Sequence, residues 1–137
     1  MSYKNEFKNC LDGLFESLCD VSDWMYENPE LGFQEFKTSK YLVDYIQSNS
    51  KSVNYPSHGL ETAFDITFGE EGPLTVICVE YDALPEIGHA CGHNIIATAS
   101  IGAGLGLKDI ASKLGIRVKL LGTPAEEGGG GKIILIN

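Results

Sequence analysis

The sequence predicts an α/β fold in which a mixed, largely parallel sheet is covered by helices. Three observations carry this expectation. An apolar stripe at helical spacing opens the chain, strand-length apolar runs begin near residue 64, and the later segments follow the order strand, loop, helix, strand, loop. That order describes a β-α-β unit, whose two strands lie parallel with the helix crossing one face. The 137 residues suffice for one domain, and no internal repeat or low-complexity linker divides them.

Phe7, Leu11, Leu14, Leu18, Val21 and Met25 step by four and three and draw one stripe along a helix. Asn28-Pro29 ends it, because a residue before proline is pushed out of the helical region. A second helix is expected over 34–47, with Phe36, Val43 and Ile46 inward, and residues 49–57 read as a loop. Phe64, Ile66 and Phe68 alternate with Ala63, Asp65 and Thr67, the pattern of a half-buried strand. After a turn at 70–73, Leu74 to Val79 is apolar but for Thr75 and reads as a strand buried on both faces. Residues 94–114 suit a helix rich in small side chains. Gly102, Gly104 and Gly106 lower its propensity but permit close packing, and Gly115 fits a C-cap. Ile116, Val118 and Leu120 form another strand, and a loop over 122–131 follows. The run Ile133 to Ile136, of core-strand length, opens a new apolar element that needs a partner. The expectation is that residues 1–137 are the N-terminal portion of a longer chain.

Net charge is −9, from 10 basic and 19 acidic residues. That argues against nucleic acid or an anionic membrane surface as partner, since phosphate attracts Lys and Arg. No apolar stretch approaches the roughly 18 residues of a membrane helix. Residues 1–6 are not followed by the apolar segment of a secretory signal, so a cytoplasmic location is expected. Cys10, Cys19, Cys78 and Cys91 form no C-x-x-C pair and are expected as reduced thiols. The first three read as small core hydrophobes.

Ligands of open α/β sheets collect at the carboxyl ends of the strands, and two loops leave such ends. The first, 80–94, carries His89, Cys91 and His93 within five residues. Cys91 and His93 form C-x-H, and residues two apart on an extended loop point the same way, so thiolate and imidazole could face one ion. A buried thiol beside a hydrogen-bonded histidine is the alternative. The second loop carries Glu126-Glu127 and then four glycines. One carboxylate of such a pair can ligate metal while the other takes a proton from water, and the glycines let backbone approach substrate. The alternative is an exposed acidic turn and a flexible link. Both loops flank the same helix and should meet at one sheet edge.

Four motifs now stand in order: Asn28-Pro29-Glu30-Leu31-Gly32-Phe33-Gln34-Glu35, Tyr81-Asp82-Ala83-Leu84-Pro85, His89-Ala90-Cys91-Gly92-His93 and Pro124-Ala125-Glu126-Glu127-Gly128-Gly129-Gly130-Gly131. Together they resemble the aminoacylase/carboxypeptidase-like dinuclear metallopeptidases, and more narrowly the amidohydrolase branch with the auxin-conjugate hydrolases. The stretches at 80–82 and 122–124 and Asn94 look most like its β-alanyl dipeptidase-like members. The resemblance implies that Cys91, His93 and Glu127 are metal ligands and that Glu126 is the general base. Asp82 matches a carboxylate that orients a ligand. Glu80 stands where other branches carry a ligand histidine, and Asn94 where many members carry Asp. The resemblance further implies two divalent ions, zinc or manganese, and a small dipeptide or N-acyl amino acid as substrate. Further histidine ligands and a lid domain that forms homodimers lie, in that family, beyond the part matched here; His58 reads as a surface residue. A non-catalytic, metal-binding remnant is the rival reading. A structural zinc site is disfavoured because it takes four closed ligands.

Overall fold

The computed structural model describes residues 2–136. Helix α1 runs Tyr3–Glu27 and α2 Phe36–Asn49; strands β1 (Phe64–Phe68) and β2 (Leu74–Val79) follow. Helix α3 spans His93–Leu107, a 3-10 turn spans Ser112–Leu114, and β3 (Arg117–Gly122) leads to the short helix α4 (Gly131–Ile136).

The sheet order is β1-β3-β2. β3 pairs parallel with β2 and antiparallel with β1, so the sheet is mixed. Val79 and Phe64 both register with Gly122, which brings the carboxyl ends of β2 and β3 to one level. The parallel pair is joined through α3, the β-α-β unit read from the sequence. β1 buries Phe64, Ile66 and Phe68, and β3 buries Val118 and Leu120, each by strict alternation.

Helix α1 starts where the Ser2 hydroxyl accepts from the Asn5 N–H at 3.3 Å. Its stripe turns inward, with Val21 and Met25 fully buried. Helix α3 lies between α1 and the sheet. A Cβ on Gly104 would stand 2.5 Å from Leu120 Cδ2, and one on Gly106 2.6 Å from Phe7 Cε2, so these glycines set how closely the layers approach.

Several expectations are corrected. Phe36 is 49% exposed, not inward. The buried positions of α2 are Thr38, Ser39, Leu42, Val43 and Ile46, and Phe36, the first residue of the helix, stands at the edge of that face rather than within it. Leu74 and Val76 of β2 are 43% and 45% exposed, so that strand is not covered on both faces. It is an edge of the described sheet, and the face carrying those two residues lies open. Cys19 is exposed, one position off the α1 stripe, while Cys10 and Cys78 are half-buried. The helix expected over 94–114 ends at Leu107, and Gly115, at φ 65°, closes the 3-10 turn. The run Ile133 to Ile136 is helical rather than extended, with Ile133 and Ile136 exposed. No described helix is long and apolar enough to cross a membrane.

Candidate metal centre

The site is built where β2 and β3 end. The backbone N–H and hydroxyl of Thr123, just past β3, both donate to the carbonyl of Val79, the last residue of β2. This ties the two loops together at their roots. Tyr81, fully buried, donates its hydroxyl to the Thr62 carbonyl at 2.6 Å and stacks on Phe64, which fixes the course of the chain into Asp82.

The Asn28–Glu35 motif forms the floor. The Glu30 carboxylate accepts from the Thr38 N–H at 2.7 Å and its hydroxyl at 2.8 Å, capping α2 from outside. The Glu30 carbonyl accepts from the Ala83 N–H at 2.8 Å, and Leu31 bridges to Ala83. Glu35 is fully buried; its carboxylate accepts from the Ala125 N–H at 2.8 Å and the Thr62 hydroxyl at 3.1 Å. Burial pushes the Glu35 carboxyl above its ordinary value, against the hydrogen bonds that pull it down. Glu35 thus holds the loop carrying Glu126 and Glu127, a role its residue type alone does not announce.

His93 opens α3, behind Gly92 at φ 79°. Its Nδ1 lies 2.8 Å from the Asp82 carbonyl. A carbonyl only accepts, so Nδ1 carries the proton and, in the neutral ring, Nε2 presents its lone pair. Nε2 faces Glu80 Oε2 at 3.4 Å, Glu127 Oε1 at 3.6 Å and Glu126 Oε2 at 3.8 Å. One ligand atom each from Glu80, His93 and Glu126 lie within 4.8 Å of one another. Asp82 braces the opposite side: its Oδ2 accepts from the Glu127 N–H at 2.9 Å, so one residue orients both His93 and Glu127. Asp82 Oδ1 is buried with no hydrogen-bond partner among the described residues.

Sequence reasoning singled out Cys91, His93, Glu126, Glu127 and Asp82, and the structure brings all five to one place. Cys91 lies at the rim. It is exposed, and a hydrogen bond with Glu127 pushes its thiol above the ordinary value, with the charges of Glu127, Glu126 and Asp82 acting in the same direction. Two further residues join. Glu80 belongs to the tight trio with His93, and Lys132 of α4 pairs with Glu80 and lies 3.6 Å from Glu126 Oε1. Burial pulls the Lys132 ammonium down, but the hydrogen bond and charge of Glu80 together with Glu126 outweigh it, so its value is raised. His89 is buried beside these groups, and neither ring nitrogen has a partner among the described residues. Burial, reinforced by His93, lowers its pKa. Asn94 faces away and donates to the Ser22 hydroxyl at 3.0 Å, tying α3 to α1.

A lone pair facing three carboxylates is electrostatically unfavourable by itself; a cation among them reverses the sign. One imidazole and several carboxylates suit a divalent ion such as zinc or manganese. A cleft of about 360 Å³ opens beside Asp82 and Glu127, walled by Leu31, Leu84 and Pro85. A hollow of similar size near Lys51 and Lys108 lies at the other end of the sheet, beside Phe68.

No protein-family model matches the chain. It is 37% identical over 140 residues to the Xaa-Arg dipeptidase of Mus musculus, covering 92% of this chain and 32% of that protein. It is 30% identical over 136 residues to one of the p-aminobenzoyl-glutamate hydrolase proteins of Escherichia coli, covering 85% of this chain and 28% of that protein. The crystal structure of a Bacillus subtilis dinuclear metal binding peptidase from the M20 family superposes with a TM-score of 0.78 at 25% identity, over 91% of this chain and 39% of that one. The chain spans about a third of the length of the curated relatives it matches. Its homologues are M20-family dipeptidases and amidohydrolases, and its fold matches part of an M20 peptidase structure.

Proposed function

We propose that this chain supplies part of the centre of a metal-dependent hydrolase that cleaves the amide bond of dipeptides or N-acyl amino acids. The observation that carries this reading is the convergence of His93 Nε2 with three carboxylates where β2 and β3 end. Likeness to a dinuclear metal binding peptidase and to two amide hydrolases supports it.

His93, Glu127 and Cys91 are the residues that would hold a divalent ion, zinc or manganese. When bound, such an ion supplies Lewis-acid polarisation of the scissile carbonyl and lowers the pKa of water. Glu126 is partly exposed and free to meet solvent; it takes a proton from the attacking water and returns it to the departing nitrogen. Asp82 contributes orientation, through its carbonyl to His93 and its carboxylate to the Glu127 backbone. The neighbouring cleft admits a small substrate against Leu31 and Leu84. Four unpaired cysteines support a reducing, cytoplasmic setting.

The test is amine release from a panel of dipeptides and N-acyl amino acids by the zinc- or manganese-supplied protein. Release that stops on chelation and falls by about a hundredfold or more in Glu126→Gln is the expected result. Release indifferent to both would contradict it. Metal uptake without release would favour the second reading, a metal-binding chain without turnover. One observation favours that reading: among the described residues, the donors that lie within 4.8 Å of one another are Glu80, His93 and Glu126, so the general base itself stands among them.

A further inference from the structure

We propose that Glu80 is itself a ligand of the metal and that Lys132 is its resident competitor, an ammonium resting on the carboxylates that the metal takes. This rests on the metal-centre reading above.

The distance between His93 Nε2 and Glu80 Oε2, 3.4 Å, is long for a hydrogen bond. It matches the edge of a tetrahedron of donors around zinc, roughly 3.3–3.5 Å for bonds of 2.0–2.2 Å. Glu127 Oε1 and Glu126 Oε2, at 3.6 and 3.8 Å from the same nitrogen, are slightly wider. Glu80 is thus the carboxylate whose present position best fits a shared ion with His93. It is the first residue after β2, so the sheet holds it in place, and its side chain is 20% exposed.

A cluster of carboxylates alone would mean little, but here His93 Nε2 faces it with a lone pair and a cationic side chain already rests on it. Lys132 already sits on the site, paired with the second oxygen of Glu80 and 3.6 Å from Glu126. The two Glu80 oxygens therefore divide their work, Oε2 toward His93 and Oε1 toward Lys132. A divalent ion seated between Glu80 and His93 meets like-charge repulsion from this ammonium and must loosen its pairing. Removing the ammonium should strengthen metal binding, and removing Glu80 should weaken it.

The experiment is a cobalt titration of the chain, followed by calorimetry and by the visible absorption of bound cobalt. It compares the parent with Glu80→Gln, Lys132→Met, the double variant and His93→Ala, each checked for folding by circular dichroism. Glu80→Gln is expected to weaken cobalt binding by about tenfold or more. Lys132→Met is expected to tighten it by roughly fivefold, and this gain should shrink in the Glu80→Gln background. Parent-like affinity in Glu80→Gln, with binding lost in His93→Ala, would remove Glu80 from the ligand set while leaving the metal centre intact. Weaker binding in Lys132→Met would overturn the competition and would remain readable even if Glu80→Gln failed to fold. A folded parent that takes up no cobalt would remove both readings together.

Discussion

Glu35 lies between the start of α2 and the loop of Glu126 and Glu127, its carboxylate bound to the Ala125 N–H and the Thr62 hydroxyl. Burial raises its pKa above the ordinary 4.5. The folded chain therefore holds this proton more tightly than the unfolded chain does. The contribution to stability is full below about pH 4.5 and is lost as pH rises through the folded value. Glu35→Gln should escape that loss. Urea unfolding between pH 4 and 8 should show the Gln variant gaining on the parent as pH rises; parallel curves would contradict this. Glu35→Ala leaves the buried Ala125 N–H unpaired and should cost about 1–3 kcal/mol at any pH. At this scale the sequence showed which residue types could hold metal, and His93, Glu126 and Glu127 do converge. It did not show Glu80 and Lys132 meeting, because they are 52 residues apart and meet only through the way α4 folds back over the β2 end. It did not show Glu35 buried either, since Glu is ordinarily a surface residue.

Helix α3 carries His93 at its first turn, so its placement decides where the imidazole points. That placement depends on the close approach at Gly104, where a Cβ would strike Leu120. Gly104→Val should lower stability by about 1–3 kcal/mol in chemical denaturation. Gly13, in α1 with nothing within 4 Å of its would-be Cβ, is the internal control: Gly13→Ala should stabilise by about 0.5–1 kcal/mol. Equal effects at the two sites would contradict the packing account. Periodicity was enough to read α1, β1 and β3, because each buries one face against a neighbour. It misled for β2, whose apolar run says nothing about whether anything covers Leu74 and Val76. It also misplaced Phe36, since an aromatic at a helix entry can lie outside the buried stripe. The Gly128–Gly131 run was read as room for substrate. Gly128 and Gly129 line the cleft beside Asp82 and Glu127, while a Cβ on Gly131 would stand 1.8 Å from the Pro124 carbonyl oxygen, so that last glycine lets the loop fold on itself.

Across the whole molecule, the β-α-β unit sets two strand ends side by side, and each loop delivers carboxylates to the imidazole on the connecting helix. The order of elements and the two loops were legible because strand, helix and strand have distinct periods. The join between the loops, through Thr123 and Val79, was not, because it depends on register. A chain carrying net charge −9 that gathers Glu80, Asp82, Glu126 and Glu127 around one histidine stores repulsion that a divalent ion relieves. The most direct test is a calorimetric zinc titration of the folded parent beside His93→Ala. A saturable site in the parent that disappears in His93→Ala is the result predicted here. A folded parent without zinc uptake, or a His93→Ala variant that binds as the parent does, would contradict the metal centre and the hydrolase reading built on it.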